Sequence, residues 1–257
     1  MSKVAIISDV HLRDDHASAV TDAIESTVET LAARDPDHTF VLGDLIEDGG
    51  SKAVDEANVA RVRECLSGIP APITYLLGNH DVEHLTRADL ASILDQDDFY
   101  GTVEVGDVPF LYLDTTNEET PGARGSVGRT QWNWLAETLS SLKPARPVVL
   151  CHHPLGAFDL ADNVWFSDYP ERAVATDRKE VLDLITRSHG IRGTISGHIH
   201  QTELSRFRGI DHVSINAFSK ETPDIPVTGT YADVRIDDRV VVDVERDGEV
   251  RQSFTML

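Results

Sequence analysis

The strongest constraint on the fold of this sequence is a set of five short clusters of Asp, Asn and His. Each cluster directly follows an apolar segment of strand length. In open α/β sheets the carboxyl ends of the strands meet at one edge, and ligands bind there. The clusters are therefore predicted to converge on a single site. They are Asp9-Val-His11, Gly43-Asp44, Gly78-Asn79-His80-Asp81, His152-His153-Pro154 and Gly197-His198-Ile-His200.

The side chains of these clusters are of the kinds that bind divalent metal ions. They offer carboxylate, amide and imidazole donors and no thiolate, a set that suits two ions such as Mn²⁺, Fe²⁺ or Zn²⁺. The Asp-x-His and His-x-His spacings place alternate side chains on one face of an extended segment. Each cluster alone is also compatible with a turn, but the five together predict a binuclear metal site. Its seven predicted ligands are Asp9, His11, Asp44, Asn79, His152, His198 and His200.

The pattern of apolar residues predicts the fold. In the first half, apolar strands alternate with helical segments at about 17–33 and 51–66, which indicates a largely parallel sheet covered on both faces. From residue 203 onward, alternating strands separated by turn pairs replace the helices. We expect an α/β protein with two mixed β-sheets face to face and helices outside, a four-layer α/β/β/α sandwich. Residues 1–257 are predicted to form one domain, in which residues 203–257 belong to the same sandwich.

The charge of the chain limits its partners and its surroundings. Asp and Glu total 44 against 23 Lys and Arg, a net charge of −21, and the acids are spread along the whole chain. This distribution is typical of proteins from a salt-rich cytoplasm, where screening relieves self-repulsion, although an ordinary acidic bacterial protein is the alternative. It argues against a basic groove for nucleic acid. No apolar run reaches membrane-spanning length, and only two cysteines are present, so we expect a cytoplasmic location.

The ordered set D-x-H, G-D, G-N-H-D, H and G-H-x-H resembles the signature of the calcineurin-like metallophosphoesterases, and here it spans Asp9 to His200. The resemblance implies a double β-sandwich flanked by helices, with a two-metal site that hydrolyses phosphate esters. Carried over residue by residue, it implies one ion held by Asp9, His11 and His200. The other ion would be held by Asn79, His152 and His198, and Asp44 would bridge the two.

A second group of residues is similar to a narrower subgroup, the class III cyclic-nucleotide phosphodiesterases, which also contains glycerophosphodiester-type enzymes. This similarity implies a small phosphodiester substrate, cyclic nucleotides among them. A phosphomonoesterase of broad specificity is the alternative, and a nuclease fits the acidic chain less well. A catalytically inert scaffold is the other alternative, but such a protein need not keep seven metal donors, and this chain has them all. The residues concerned are Leu113-Asp114-Thr115, Pro121-Gly122, Gly125, Gly128 and Gln131-Trp132-x-Trp134-Leu135.

Two residues beside the predicted ligands are candidates for catalysis. Two ions roughly 3.5–4 Å apart can clamp a phosphate and convert a bridging water into an attacking hydroxide. His80 is left free of the metals and is predicted to be the general acid for the leaving oxygen. Asp81 is predicted either to accept a hydrogen bond from His80 and fix its tautomer or to cap a turn. For His153, contact with the phosphate and a plain turn position both remain open.

The irregular segment 155–171 carries four aromatic residues, Phe158, Trp165, Phe166 and Tyr169. Three roles remain open for it. It can form a lid that stacks a nucleobase, because aromatic faces accept any base. It can instead form a contact between copies of the chain in a homo-oligomer, or simply pack locally.

Overall fold

Two six-stranded mixed sheets form the centre of the protein in the computed structural model, which describes residues 2–116, 122–143, 145–188, 190–223 and 227–256. In the first sheet three parallel strands from the start of the chain are extended by three antiparallel strands from its end. Across the sheet the order is β12 (Glu249–Met256), β11 (Val240–Arg246), β10 (Tyr231–Ile236), β1 (Ser2–Ile7), β2 (His38–Val41) and β3 (Ile73–Tyr75).

The second sheet has a parallel centre with an antiparallel strand at each edge. Its first two strands form a hairpin around Gly106-Asp107, with Val105 paired to Val108. Across the sheet the order is β4 (Gly101–Val105), β5 (Val108–Leu113), β6 (Val148–Cys151), β7 (Gly193–Ser196), β9 (Ile210–Ser214) and β8 (Glu203–Phe207).

Helices cover the outer face of each sheet. Helices α1 (Ala17–Arg34), α2 (Lys52–Leu66) and α3 (Arg87–Leu94) pack on the first sheet. Helices α4 (Gly128–Ser141) and α5 (Arg178–Arg187) pack on the second, and a short 3₁₀ helix (Pro170–Arg172) precedes α5. The predicted α/β class, with two face-to-face mixed sheets flanked by helices, is confirmed.

Alternation along β1 shows how the sequence builds these layers. Val4 and Ile6 point into the core between the sheets, where they join Phe110 of the second sheet. Ala5 and Ile7 point the other way, into the core beneath α1. Because β1 is buried on both faces, its sequence is continuously apolar and does not alternate with polar residues. Each large apolar side chain buried in this way contributes about 1.5–3 kcal/mol.

Helix α3 is an element that the hydrophobic pattern did not predict. It is only eight residues long, and its start is fixed by a capping box. The Thr86 hydroxyl accepts from the Asp89 amide, and the Asp89 carboxylate accepts from the Thr86 amide. The Thr-x-x-Asp spacing was a local signal for this helix. Among the described residues, no helix combines the length and apolar character needed to cross a membrane.

Candidate metal centre

The five clusters meet where the two sheets present the carboxyl ends of their central strands. Asp9 and His11 follow β1, Asp44 follows β2, and hydrogen bonds join these two turns directly. The Asp9 amide donates to the Gly43 carbonyl at 3.0 Å, and the His11 amide donates to the Asp44 carbonyl at 3.0 Å. From the second sheet, His152 follows β6, and the His198 and His200 pair follows β7. The opposed sheets thus bring their polar turns face to face.

Short distances join the donor atoms of the predicted ligands. His11 Nε2 and His200 Nε2 lie 3.0 Å apart, and His200 Nε2 lies 3.4 Å from Asp9 Oδ1. Asp44 Oδ2 lies 3.7 Å from His11 Nε2 and 3.3 Å from His152 Nε2. The Asp44 carboxylate therefore stands between an Asp9–His11–His200 group and the neighbouring His152.

Backbone carbonyls fix which nitrogen of three histidines faces the centre. His152 Nδ1 donates to the Leu42 carbonyl at 2.9 Å, and His200 Nδ1 donates to the Lys220 carbonyl at 2.6 Å. Because a carbonyl can only accept, both rings keep the Nε2 lone pair free to bind a cation. His198 is reversed, since its Nε2 donates to the Arg172 carbonyl at 3.0 Å and leaves Nδ1 as the free ligand atom.

The buried atoms that have no hydrogen-bond partner among the described residues include Asn79 Oδ1 and His152 Nε2 of the predicted ligands. A buried polar atom left unpaired costs about 1–3 kcal/mol, so such atoms are rare without a ligand. A metal cation would satisfy both lone pairs. The histidine and aspartate clusters, within which the donor atoms all lie within 4.8 Å of one another, fit a binuclear metal site.

The backbone at the centre adopts conformations that L-residues rarely occupy. Five of the seven predicted ligands have φ between +45° and +68°. Left-handed backbone in residues other than glycine costs of the order of 1–3 kcal/mol each and clusters at functional sites. The sharp turns that result aim consecutive side chains back over the strand ends. The five residues are Asp9, His11, Asp44, His198 and His200.

Two glycines allow the turns to pack this closely. Gly43 has φ +97°, and a Cβ at this position would overlap the Gly78 backbone of the neighbouring turn. A Cβ at Gly197 would overlap the Ser8 and Asp9 side chains. Glycine at both positions is therefore a requirement of the close approach between the turns.

The electrostatics of the cluster prepare it for cations. Burial opposes ionisation of Asp9 and Asp44, yet the neighbouring His200 and His152 hold the pKa of each carboxyl below its usual range. Burial, together with the charge of His152, lowers the pKa of His198 to about 3, so its imidazole is neutral and able to bind a metal. Burial acts in the same direction on His152, but Asp44 raises the pKa of His152 to about 9. A bound cation would displace that proton.

His80 lies at the edge of the centre and is partly exposed. Its ring centroid is 5.0 Å from that of His11, and its amide donates to Asp44 Oδ1 at 2.9 Å. Its Nδ1 lies 3.6 Å from Asp48 Oδ1. Burial alone would lower the pKa of His80, but the charges of Asp44, Glu47 and Asp48 outweigh it and raise that pKa.

Asp81 accepts hydrogen bonds from backbone amides of two turns. Its Oδ1 accepts from the Leu45 amide and its Oδ2 from the Gly78 amide, each at 2.8 Å. The buried carboxylate therefore joins the turns after β2 and β3, which matches the turn-capping alternative, and Asp48 is the carboxylate beside the His80 ring. Burial and the Asp44 charge raise the pKa of Asp81 to about 7.

His153 lies directly behind the centre and is fully buried. Its Nδ1 is 2.8 Å from the Thr115 hydroxyl, and its ring centroid is 4.3 Å from that of His198. Its Nε2 has no hydrogen-bond partner among the described residues. Contact between His153 and a phosphate remains a prediction.

Two residues that the sequence did not single out support the ligands. Glu47 Oε2 lies 3.1 Å from His11 Nδ1 and also accepts a hydrogen bond from Lys220 Nζ. The Lys220 carbonyl in turn holds His200. Glu47 lies three residues after Asp44 in the sequence, so its closeness to the ligands had a local signal. Lys220 is distant in sequence from the ligands, and no local pattern marks it.

The aromatic side chains of segment 155–171 have different surroundings, since some pack locally and one lies beside the metal centre. Phe166 is buried with Ala173 and Ile199, and its ring lies 4.8 Å from that of His198. Tyr169 is exposed, and the Arg172 guanidinium lies over its ring. Trp165 faces the centre, with its ring centroid 5.5 Å from that of His200. Local packing therefore accounts for Phe166, while Trp165 is available to a ligand.

Together, the two-sheet fold and this donor set define a metal-dependent phosphoesterase. The sequence pattern of the calcineurin-like phosphoesterase family matches residues 2–202, and the chain belongs to that family. Over 232 residues it is 25% identical to a probable cyclic nucleotide phosphodiesterase of Rhodococcus erythropolis, covering 85% of this chain and 72% of that protein.

Two further similarities agree with this assignment. The chain is 26% identical over 236 residues to a cAMP/cGMP dual specificity phosphodiesterase of Mycobacterium tuberculosis, covering 86% of this chain and 68% of that one. In structure it is similar to a dimetal phosphatase from Danio rerio, with a TM-score of 0.78 at 15% identity, covering 99% of this chain and 98% of the other. The structural likeness concerns the fold.

Proposed function

We propose that this protein hydrolyses small phosphodiesters, cyclic nucleotides among them, at a two-metal centre. The observation that carries the proposal is the position of Asp44, whose Oδ2 lies within 3.7 Å of imidazole nitrogens of both His11 and His152. A carboxylate between two sets of donors can bridge two cations and offset their mutual repulsion. The names of the relatives at 25% and 26% identity support a diester over a monoester.

The two ions, taken as Mn²⁺, Fe²⁺ or Zn²⁺, are assigned to the residues that surround each side of Asp44. Such ions, when bound, acidify water and neutralise the charge of the phosphate oxygens. Asp44 would contribute to both sites. Asp9, His11 and His200 would hold one ion, and Asn79, His152 and His198 would hold the other.

His80 supplies the proton in this scheme. A water oxygen adds to phosphorus and releases one proton to the solvent, the bond to one ester oxygen breaks, and the electron pair of that bond stays on the ester oxygen. The leaving alcohol therefore needs a proton, which the partly exposed His80 ring beside His11 can donate. Asp48, at 3.6 Å from Nδ1, favours the protonated ring and directs the other nitrogen toward the substrate.

The first test compares bis-p-nitrophenyl phosphate with p-nitrophenyl phosphate in Mn²⁺ and high KCl, with a chelator control. We expect diester turnover well above monoester turnover, and loss of both on chelation. The reverse preference would replace the proposal with a phosphomonoesterase. No turnover of either ester by folded protein whose metal content has been verified would indicate an inert scaffold.

A further inference from the structure

Two cavities open beside the metal centre, and Trp165 lines both. The first, here called the His11 cavity, has a volume of about 570 Å³ and begins at His11. The second, here called the His200 cavity, has a volume of about 450 Å³ and begins at His200. Both volumes fall in the range of small-molecule sites. Because His11 Nε2 and His200 Nε2 are 3.0 Å apart, both cavities border the same group of predicted metal ligands.

The two cavities differ in chemistry. Beyond Trp165, the lining of the His11 cavity combines apolar side chains, namely Ala19, Val20, Pro223 and Val227, with the charged Arg13, Glu47 and Lys220. Among the described residues, the His200 cavity has no such apolar group of four; amide and hydroxyl side chains, among them Gln201, Thr202, Asn216 and Thr230, line it together with the charged Arg246 and Arg251 and the apolar Val164 and Val244. A flat apolar group suits the first lining, and a group with several hydroxyls suits the second, because each would find matching partners.

Polar contacts hold Trp165 in place between the cavities. Its indole Nε1 donates to the Glu221 carbonyl at 3.1 Å, and its amide donates to Asn163 Oδ1 at 3.0 Å. The buried Asn163 is itself tied to the β7–β8 connection, since its Nδ2 donates to the Ile199 carbonyl at 2.8 Å. Lys220 Nζ lies 5.2 Å from the centroid of the indole ring. These contacts hold the indole as a fixed wall that lines both cavities.

We propose that Trp165 separates two substrate subsites and selects an acyclic phosphodiester with two unlike organic groups. A flat apolar group occupies the His11 cavity, and a polyhydroxylated group occupies the His200 cavity. This inference rests on the proposed phosphodiesterase function and narrows it. A monoester or a cyclic diester carries one organic group and leaves one of the two subsites empty.

Two chromogenic diesters test the subsites in the metal-loaded enzyme. Glucose 6-(p-nitrophenyl phosphate) offers both groups, whereas methyl p-nitrophenyl phosphate offers only the flat one. We expect kcat/KM for the glucose diester to exceed that for the methyl diester by about tenfold or more, the scale on which filling a pocket changes specificity. Equal values for the two diesters would overturn the inference while the phosphodiesterase assignment stands.

Variants that fill one cavity at a time assign each group to its subsite. Ala19 and Gln252 are exposed residues that line the His11 and His200 cavities, respectively. We expect Ala19→Trp to raise KM for both diesters and Gln252→Trp to raise KM for the glucose diester alone. Ser18→Trp and Val250→Trp, at exposed neighbours outside both linings, are the matched controls. Equal effects of Gln252→Trp on both diesters would contradict the assignment.

Binding measured without turnover separates this inference from the proposed function. The chain has three tryptophans, so quenching of their fluorescence by glucose 6-(phenyl phosphate) can be compared in wild type and Trp165→Phe. We expect quenching in the wild type and its loss in the variant. Quenching that persists in Trp165→Phe, or none at saturation, would overturn the role of Trp165 whatever the turnover assays show. Quenching by this ligand without diester turnover would instead count against the phosphodiesterase function alone.

Discussion

The metal centre and the Trp165 wall that faces it are built in different ways. Each predicted ligand of the centre stands just beyond a buried strand, and backbone hydrogen bonds such as Asp9 to Gly43 join neighbouring turns. The wall comes from two connections distant in sequence, held together by single contacts such as Trp165 to Glu221. A rigid sheet edge can fix donor atoms for chemistry, whereas loops can change the shape of a pocket without disturbing the sheets. We therefore expect chemistry to depend on the centre and specificity on the wall.

The largest expected effect comes from the bridging position. Asp44→Asn keeps the size of the side chain but removes the charge that both ions would share, so kcat should fall roughly 10³-fold or more. Metal content measured by mass spectrometry should fall with it. Asp97→Asn, which neutralises an exposed acid far from the ligands in the sequence, is the control and should change neither. Full activity of Asp44→Asn would refute the two-metal assignment.

Loss of the proposed general acid should have a smaller effect and a different signature. His80→Ala should lower kcat by about 10²–10⁴-fold for alkyl diesters, with unchanged metal content. The loss should be much smaller for p-nitrophenyl diesters, because nitrophenolate leaves without needing a proton. His84→Ala removes an exposed histidine four residues away and is the matched control. Equal losses for both leaving groups would exclude proton donation by His80.

Substitution of Asp81 tests whether a residue inside a ligand cluster contributes to stability alone. Asp81→Ala removes the acceptor for the Leu45 and Gly78 amides, so the free energy of unfolding in urea should fall by about 1–3 kcal/mol. With metal at saturation, kcat should stay within about tenfold of wild type. A large loss of kcat at unchanged stability would return Asp81 to a catalytic role.

Salt is expected to act on the acidic surface and hardly at all on the buried centre. Its effect should be the smallest of the four predicted here. Exposed acids repel one another at a net charge of −21, and added KCl screens them, whereas the buried Asp9 and Asp44 are screened little. Melting temperature should rise by several degrees between about 0.1 M and 2 M KCl, since 1 kcal/mol corresponds to about 2–4 °C at this size. Sorbitol at matched osmolality is the control. Unchanged melting temperature would refute salt adaptation.

Much of the fold was predictable because its signals are local. The continuous apolar run of β1 predicted a strand buried on both faces, and the Asp247-Gly248 pair predicted the turn between β11 and β12. Helix α3 was missed because its eight residues bury only Leu90 and Leu94, which is too short a pattern for periodicity to reveal.

The role of Asp81 shows the limit of local signals within the site. Its neighbours in sequence suggested a partner for His80, but the β2 turn, which is distant in sequence, supplies the Leu45 amide that captures its carboxylate. Asp48 takes the place beside His80 for the same reason, because the two turns are adjacent only in the folded sheet.

The sequence by itself determined the ligand types and their order, because each donor cluster is tied to the end of its own apolar strand. Only the tertiary structure decided what surrounds them. Lys220 supports His200 and pairs with Glu47, and Trp165 lies between two cavities, although no spacing in the sequence connects these residues. The physical reason is that strand and turn propensities act over a few residues, whereas the cavity walls depend on how loops from both sheets come to rest against each other.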